Sequence, residues 1–190
     1  YRLRFADRAY RHLFNSGVLT PETVTARFLA RAREIDLAII AESARWGDAK
    51  SVIPRTRDDD WLQAINSLAN NYFPFRTKIV KDQLRWAGLY PDIEPPLFKE
   101  SGEELQLAAL RIQPGFKLEV LNPNDSGSIR YTTDLSDPRL IGGAASGRAM
   151  NGGEQTEITV NSTTIVKARI KDGERWSAMH EITLAVPEEL

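Results

Sequence analysis

The spacing of apolar residues changes once along this chain, at three prolines that lie close together. Before Pro91, Pro95 and Pro96, apolar residues recur every three or four positions, as in a helix, and beyond them apolar and polar residues alternate, as in a strand. Because prolines hold the chain extended and cannot continue a helix, we expect them to separate two folding units. The sequence therefore predicts an α+β multidomain chain with an α-helical domain at residues 1–96 and an antiparallel β-sandwich at residues 97–190.

The first predicted domain contains about four helices joined by short turns. Thr20 suits the capping position of the second helix, and Pro21 suits its first turn, where a proline costs no hydrogen bond. Gly47 is the expected end of that helix. Pro74 is expected to break the next helix and to start the last one, because proline has no backbone N–H to donate. The predicted helices cover residues 3–15, residues 21–46 and the two stretches on either side of Pro74, from Trp61 to Gly88.

The second predicted domain consists of short strands with turn signals between them, a pattern typical of antiparallel sandwiches. Asn122–Gly127 and Asp172–Gly173 indicate hairpin turns. Gly142–Gly153 is rich in glycine, alanine, serine and asparagine, which predicts a long mobile loop. The predicted strands are residues 105–110, 116–121, 129–133, 157–160, 164–170 and 176–186.

Composition excludes several kinds of site. The chain has no cysteine, which excludes disulfides, thiolate zinc sites and thiol nucleophiles, and it has no run of about 18 apolar residues that would span a membrane. Lys and Arg outnumber Asp and Glu by 15 to 12 in residues 1–96, whereas the acids outnumber the bases by 14 to 10 in residues 97–190. Because the arginines of the first domain are mixed with acids at helical spacing, we expect a solvated, ion-paired helix face and no nucleic-acid partner.

No group of residues has the pattern of a catalytic, cofactor or metal site. Asp58–Asp60 precede a helix, where capping and charge complementarity to the helix dipole explain three acids without a metal ion. Asp134 and Asp137 flank a turn of the kind that carboxylates make. His12 and His180 lack the serine and carboxylate that nucleophilic catalysis needs, and two histidines from different domains make a poor metal site. We therefore expect no catalytic residue, cofactor or metal ion.

Three motifs in the second domain occur in a characteristic order. They are YTTDLSDP at residues 131–138, TIVKAR at residues 164–169 and DGERWS at residues 172–177. They resemble the YTTDGSDP, TTVKAR and DG-x-WS motifs of the chitobiase/β-hexosaminidase carboxy-terminal domain. The resemblance implies an immunoglobulin-like β-sandwich of a large secreted bacterial protein, without the family's catalytic residues, which sit in a separate barrel domain. Leu135 replaces the glycine of that pattern, and since leucine adopts positive φ less readily, we expect a different turn type.

The first domain carries a second resemblance. FNSGVLT at residues 14–20, ESARWGD at residues 42–48 and the run from Trp61 to Arg76 resemble the tail of the spore-coat CotH-like kinase family. The nucleotide-handling residues of that family lie upstream of this tail. The resemblance therefore implies no nucleotide site here, an upstream domain of the parent protein as the partner, and an extracellular or cell-surface location.

Two interpretations of the segment around Trp46 stay open. Glu42 and Arg45 are spaced for an ion pair on the surface of the helix. Alternatively, this segment packs against the upstream domain, which predicts an exposed apolar patch around Trp46 or Trp61.

Three functional hypotheses follow. The favoured one is a non-catalytic piece of a larger secreted or surface bacterial protein, with the sandwich as a spacer or interaction module, since the chain starts at Tyr1 without a leader segment. The second is a carbohydrate-binding module for chitin-like or other glycans, for which Trp176 beside its hairpin turn is the candidate aromatic platform. The third is an accessory part of a CotH-like kinase or of a chitobiase. The possible ligand or interface residues are Trp176, Arg45 and Trp46.

Overall fold

A computed structural model describes residues 1–187 of the chain. The fold is α+β, with three helices and two sheets that are mostly antiparallel. The chain divides into two compact units: the strand-rich unit combines Tyr1–Gly17 with the chain from Lys81 onward, and the helical unit is Val18–Val80. Within residues 1–187, no helix combines the length and the apolar character needed to cross a membrane.

Two sheets make up most of the strand-rich unit. Their strands in chain order are β1 (Leu97–Glu100), β2 (Glu103–Glu104), β3 (Ala109–Arg111), β4 (Phe116–Leu121), β5 (Ser128–Thr132), β6 (Met150–Gly153), β7 (Gln155–Val160), β8 (Thr164–Asp172), β9 (Arg175–Trp176) and β10 (His180–Ala185). The first sheet has the order β2-β1-β4-β7, and the second has the order β3-β10-β8-β5-β6 with β9 paired to β8. All described pairings are antiparallel except that of β3 with β10.

The two sheets share one hydrophobic core, an arrangement compatible with a β-sandwich. In β4, Leu118 and Val120 point into this core, whereas Lys117 lies on the outer face and pairs with Glu157 of β7. Burying each such aliphatic side chain contributes about 1.5–3 kcal/mol, so this core supplies most of the stability of the unit. The fully buried core residues are Phe98, Leu118, Val120, Ile129, Val166, Ala168, Ile170, Ile182 and Leu184.

The first helix belongs to the strand-rich unit. Helix α1 (Arg2–Leu13) buries Ala6 and Tyr10, which pack with Tyr90 and Ala178 in a second apolar cluster. The compact units therefore divide the chain differently from the division at residue 96 that the sequence predicts, because an amphipathic helix buries its apolar face wherever a complementary surface lies. The predicted division into two family regions at residues 1–96 and 97–190 stays a prediction.

The remaining two helices differ from the prediction in number. Helix α2 spans Pro21–Trp46, and the hydroxyl of Thr20 accepts a hydrogen bond from the N–H of Thr23, so the predicted cap is confirmed. The third helix is continuous over residues 57–86, and the predicted count of four helices is wrong. Its successive segments are π-helical Arg57–Trp61, α-helical Leu62–Ser67, π-helical Leu68–Tyr72 and α-helical Phe73–Trp86.

A π-helical turn explains why Pro74 does not break the third helix. In a regular α-helix, the proline ring clashes with the carbonyl four residues earlier, and that carbonyl loses its hydrogen bond. Here the N–H of Phe73 donates to the carbonyl of Leu68, five residues earlier. The wider π-helical turn gives the ring room and is a common way for a helix to accommodate an irregularity.

Several predictions for strands and turns need correction. Asn122–Gly127 connects β4 of the first sheet to β5 of the second, so the predicted hairpin turn there is wrong. The predicted strand at residues 105–110 is reduced to β3, and the predicted loop Gly142–Gly153 contains β6 at its end. The predicted strand at residues 176–186 is divided into β9 and β10. It divides because the N–H of Met179 donates to the carboxylate of Asp7 at 2.9 Å instead of to a neighbouring strand.

The turn after β5 keeps the conformation that glycine favours. Leu135 has φ 70°, so the expectation of a different turn type at this position is wrong. Around it, the carboxylate of Asp134 accepts hydrogen bonds from the N–H and the hydroxyl of Ser136, and Lys167 donates to the carbonyl of Leu135 at 2.8 Å. These bonds hold the turn although a left-handed leucine costs about 1–2 kcal/mol.

Replacing Leu135 with glycine should stabilise the protein by about 0.5–1 kcal/mol, because the left-handed strain that is removed exceeds the backbone entropy that glycine adds to the unfolded chain. The side chain of Leu135 is 59% exposed, so little buried area is lost. Denaturant unfolding measures the change. Leu140→Gly is the control, since Leu140 is also exposed but has no positive φ, and it should not stabilise. A destabilised Leu135→Gly protein would contradict this account of the turn.

Candidate functional site in the strand-rich unit

A buried guanidinium joins α1 to the second sheet. Arg169 of β8 is 1% exposed, and both oxygens of Asp7 accept from its two terminal nitrogens at 2.7 and 2.8 Å. Both oxygens of Asp137 accept from Nε and one terminal nitrogen at 2.8 Å, and the carbonyl of Ser177 accepts at 3.0 Å. All five N–H donors of the guanidinium are therefore used, which is the condition under which a buried arginine is tolerated.

The two carboxylates of the predicted turn have different roles. Asp134 binds Ser136 within the turn, as the sequence predicts, whereas Asp137 also binds Arg169. Burial raises the pKa of Asp137, but the guanidinium of Arg169 outweighs burial and holds this pKa below its usual value. Asp134 and Asp137 thus stabilise the turn and its attachment to the sheet.

A buried neutral histidine lies beside this cluster. His180 is 2% exposed, and its Nδ1 is 2.7 Å from the carbonyl of Pro96. Because a carbonyl only accepts, the proton is assigned to Nδ1, and Nε2 then accepts from the amide of Asn15 at 2.8 Å. Burial lowers the pKa of His180 to about 4, which the hydrogen bond to Pro96 opposes only in part. His180 is therefore uncharged at neutral pH.

An open groove runs along α1 above these residues, and we name it the α1 groove. Its volume is about 520 Å³, within the range of small-ligand pockets. One wall is the exposed face of α1, and the opposite side comes from β10 and the residue before β3. The charged and polar lining includes Arg4, Arg8, Arg11, His12, Asn15 and Glu181.

The three arginines of the α1 groove have no carboxylate partner within the described residues. Arg4, Arg8 and Arg11 are exposed and lie in no described ion pair, whereas Asp7, the acid on the same helix, is bound to Arg169. The expectation of an ion-paired face therefore fails on α1. It is met on α2, where Arg31 pairs with Glu34. Sequence reasoning missed this site, although the spacing of Arg4, Arg8 and Arg11 along one helix face was a visible signal.

The residues that follow α1 have an unusual, left-handed backbone conformation. Asn15 and Ser16 have φ values of 52° and 59°, and the hydroxyl of Ser16 accepts from the N–H of Ala108 at 3.3 Å. Gly17 follows, and a Cβ at this position would lie 2.5 Å from the carbonyls of Arg11 and His12. Only glycine permits that approach, so the chain reverses here and orients the side chain of Asn15 toward His180.

The predicted sugar platform is not exposed. Trp176 is 5% exposed, and its indole N–H donates to the carbonyl of Gly143 at 2.8 Å. The ammonium of Lys171 lies 5.7 Å from the centre of its ring. A sugar ring needs an open aromatic face for stacking, and the buried indole offers none.

The predicted interface residues of the helical unit are exposed. Trp46 is 55% exposed, and the guanidinium of Arg45 lies 4.9 Å from the centre of its ring. Within residues 1–187 no ion pair joins Glu42 and Arg45, so the ion-pair interpretation of this segment is not met, and the guanidinium of Arg45 contacts the indole of Trp46.

Thr56 and two of the three acids after it form the cap of the third helix. The hydroxyl of Thr56 accepts from the N–H of Asp59 at 2.9 Å, and Asp60 accepts from the N–H of Thr56 at 2.8 Å. The acids lie in the first turn of the helix, where their charges complement the helix dipole as predicted, but the capping residue is Thr56 and not one of the acids. Within residues 1–187, no group of three or more histidine, aspartate or glutamate side chains is placed to hold a metal ion.

An apolar stripe on the third helix is open to solvent. Leu68, Tyr72, Phe75 and Ile79 follow helical spacing and are 37%, 45%, 60% and 41% exposed. We name these four residues the apolar stripe. Between residues 18 and 80, only Thr20 and Ala32 are buried.

Comparisons with known proteins give no family. No family model matches the chain, and no curated protein matches it. The solved structure of the sulfur carrier protein SoxY from Chlorobium limicola f thiosulfatophilum covers 58% of this chain and 99% of its own, with 8% identity and a TM-score of 0.30. A nucleoside hydrolase-related hypothetical protein from Saccharophagus degradans, associated with carbohydrate metabolism, covers 72% of this chain and 39% of its own, with 12% identity and a TM-score of 0.28.

A third solved structure is the alkylpurine DNA glycosylase AlkC from Pseudomonas fluorescens, bound to DNA containing an abasic site analog. It covers 87% of this chain and 47% of its own, with 9% identity and a TM-score of 0.17. The chain thus spans less than half of the hydrolase-related protein and of AlkC. Because all three TM-scores are far below 0.5, these similarities carry no argument about function, and the chain is described by its own geometry.

Proposed function

We propose that this chain is a non-catalytic part of a larger secreted or surface bacterial protein. In this proposal, the helical unit packs through its apolar stripe on an upstream domain of the parent protein. The strand-rich unit is an immunoglobulin-like sandwich of the chitobiase type and acts as a spacer or interaction module. The family relationships and the extracellular location rest on the sequence motifs.

The exposure of the apolar stripe carries this proposal. Soluble monomers rarely leave large apolar side chains together on one helix face, and such a face is typical of a protein interface. Trp46 and Leu37 of α2 are also exposed, at 55% and 79%. The helical unit thus retains apolar surface that a partner would cover.

The interior of the strand-rich unit supports the role of a spacer. Its core is continuous, and Arg169, the buried cation between its motifs, uses all five donors. The motifs that resemble the chitobiase-type domain meet there, because Asp137 lies in the first motif and Arg169 in the second. An interior whose buried cation is fully hydrogen-bonded needs no ligand to stabilise that charge. Such a rigid unit can hold neighbouring domains at a fixed separation.

The apolar stripe is tested by comparing this chain with the longer parent protein. In the longer protein, Tyr72→Ser with Phe75→Ser should lower the free energy of unfolding by about 1.5–3 kcal/mol for each buried ring, and in this chain alone it should change little. Amide hydrogen exchange of residues 68–79 should be slower in the longer protein.

Gln63→Ser on the same helix is the control, since Gln63 is already exposed and polar. Equal exchange rates in the two proteins would overturn the upstream packing. The upstream packing would also be overturned if this chain formed dimers that Phe75→Ser dissociates. That result would show that a second copy of the chain covers the apolar stripe.

The two alternative functions have weaker support. Glycan binding loses its candidate platform with the burial of Trp176. An accessory role in a CotH-like kinase or a chitobiase remains compatible with the proposal, since it specifies the parent protein and places the chemistry upstream.

A further inference from the structure

We propose that the α1 groove binds an oligoanion, a short chain of phosphate or carboxylate groups, through Arg4, Arg8 and Arg11. This site lies within the strand-rich unit and is independent of the apolar stripe on the helical unit. The proposal therefore stands or falls separately from the packing of the chain on an upstream domain.

The three arginines form a row with regular spacing. Arg4 and Arg8 are four residues apart and Arg11 follows three residues later, so all three lie on one face of α1. The helical rise places successive members about 6 Å and about 4.5 Å apart along the axis. A guanidinium binds a phosphate or carboxylate with two parallel hydrogen bonds, so the row is suited to successive anionic groups of one chain.

The charge of this row is not neutralised within the described residues. Two carboxylates lie along the groove, and each already has a cation: Asp7 binds Arg169, and Glu181 lies 3.5 Å from Lys167. Like charges at helical spacing repel one another, so the free groove holds three cations at a cost that an anion would relieve. The same potential attracts anions during encounter.

His180 and Asn15 contribute uncharged polar groups to the lining of the α1 groove. His180, at its floor, is buried and uncharged, and it is held between Pro96 and Asn15. His180 therefore neither adds to the charge of the arginine row nor opposes it. Asn15 lies in the left-handed turn that follows α1. A volume of about 520 Å³ matches a ligand of two or three units better than a long polymer.

Calorimetric titration of this chain at low ionic strength with tripolyphosphate, trigalacturonate and uncharged chitotriose tests the site. We expect saturable binding of at least one of the two anions and no binding of chitotriose. Tripolyphosphate and trigalacturonate distinguish a phosphate chain from an acidic sugar chain. Binding should weaken with salt, because exposed charges are screened.

The decisive variant is Arg4→Gln with Arg8→Gln and Arg11→Gln. Because three charge-assisted contacts are removed, affinity for the bound anion should fall by more than about tenfold. The matched control is Arg27→Gln with Arg31→Gln and Arg33→Gln on α2, which removes three exposed arginines and the same net charge. It should bind like the wild type.

Three outcomes would overturn the proposal. Neither anion binds, the control variant loses as much affinity as the groove variant, or chitotriose binds as well as the anions. All six arginines are exposed, so both variants should fold, and far-ultraviolet circular dichroism verifies this before titration.

Discussion

Replacing Arg169 with methionine should lower the free energy of unfolding by about 3–5 kcal/mol, the usual cost of removing one partner from a buried ion pair. The guanidinium is 1% exposed and joins α1, the turn after β5 and the loop before β10 through Asp7, Asp137 and Ser177. Without it, two carboxylates face each other and the carbonyl of Ser177 loses its donor. Urea unfolding followed by tryptophan fluorescence measures the change.

The two carboxylates should not contribute equally. Asp7 is 16% exposed and also accepts from the N–H of Met179, whereas Asp137 is 42% exposed. Asp7→Asn should therefore destabilise more than Asp137→Asn, because solvent screens the more exposed ion pair. In the Arg169→Met background, either change should cost less than it does alone, since the charge that it paired is already gone.

Arg175→Met is the matched control for this series. Arg175 pairs with Asp172 on the surface of the same unit and is 66% exposed, so its removal should cost no more than about 1 kcal/mol. If Arg169→Met were as mild as Arg175→Met, the guanidinium would not hold the two carboxylates, and the role assigned to this cluster would be wrong.

Stability should fall as the pH is lowered from about 6.5 to about 4, because of His180. Burial lowers the pKa of this histidine from 6.5 to about 4 in the folded state. Between these values the unfolded chain binds a proton that the folded chain does not bind, so protons favour unfolding and stability rises with pH. At about 1.4 kcal/mol for each pH unit, the full window is worth about 3 kcal/mol.

His180→Gln should remove this slope above about pH 5, because glutamine does not titrate. Nearer pH 4 a slope remains, because Arg85 and Lys81 outweigh burial and hold the pKa of Glu94 below its usual value of 4.5. His12→Gln should keep it, since His12 is exposed on α1. Urea midpoints at half-unit steps of pH measure both variants. The depressed pKa of Asp137 contributes in a lower window: its stabilisation is complete above the unfolded value of 3.8 and is lost as the pH falls through the folded value. A slope between about pH 5 and pH 6.5 that survives in His180→Gln would show that another group is responsible.

Local signals predicted well wherever the structure depends on a few neighbouring residues. The strand at residues 116–121 matches β4, because alternation reports which side of a strand is buried. The cap at Thr20 and the acids after Thr56 were predicted for the same reason, since a helix end takes its hydrogen bonds from adjacent residues. The prediction that Pro74 breaks the helix was wrong because the hydrogen bonds before it are π-helical. No residue type in the sequence indicates a π-helical turn.

The candidate site was predictable only in part. The arginines of α1 and their spacing are visible in the sequence, but their lack of partners is not. Asp7 is an obvious partner for Arg4 or Arg11 by helical spacing, yet it binds Arg169, 162 positions away. The position of Trp176 beside a hairpin suggests a platform for sugar stacking. In the structure, however, the indole is buried and its N–H donates to the carbonyl of Gly143.

Residue order alone decided the α+β class, the ends of α2 at Thr20 and Gly47, the hairpin turn at Asp172–Gly173 and the alternation of β4, because each depends on propensity and hydrogen bonds that act over a few residues. Three-dimensional packing decided which acid meets which base and which aromatic ring is buried. It also decided that His180 is uncharged and that the three arginines of the α1 groove stay unpaired. The physical reason is that charge state, desolvation and exposure depend on which groups pack against a side chain. Here those groups come from α1 and from β8 and β10, which lie near opposite ends of the chain.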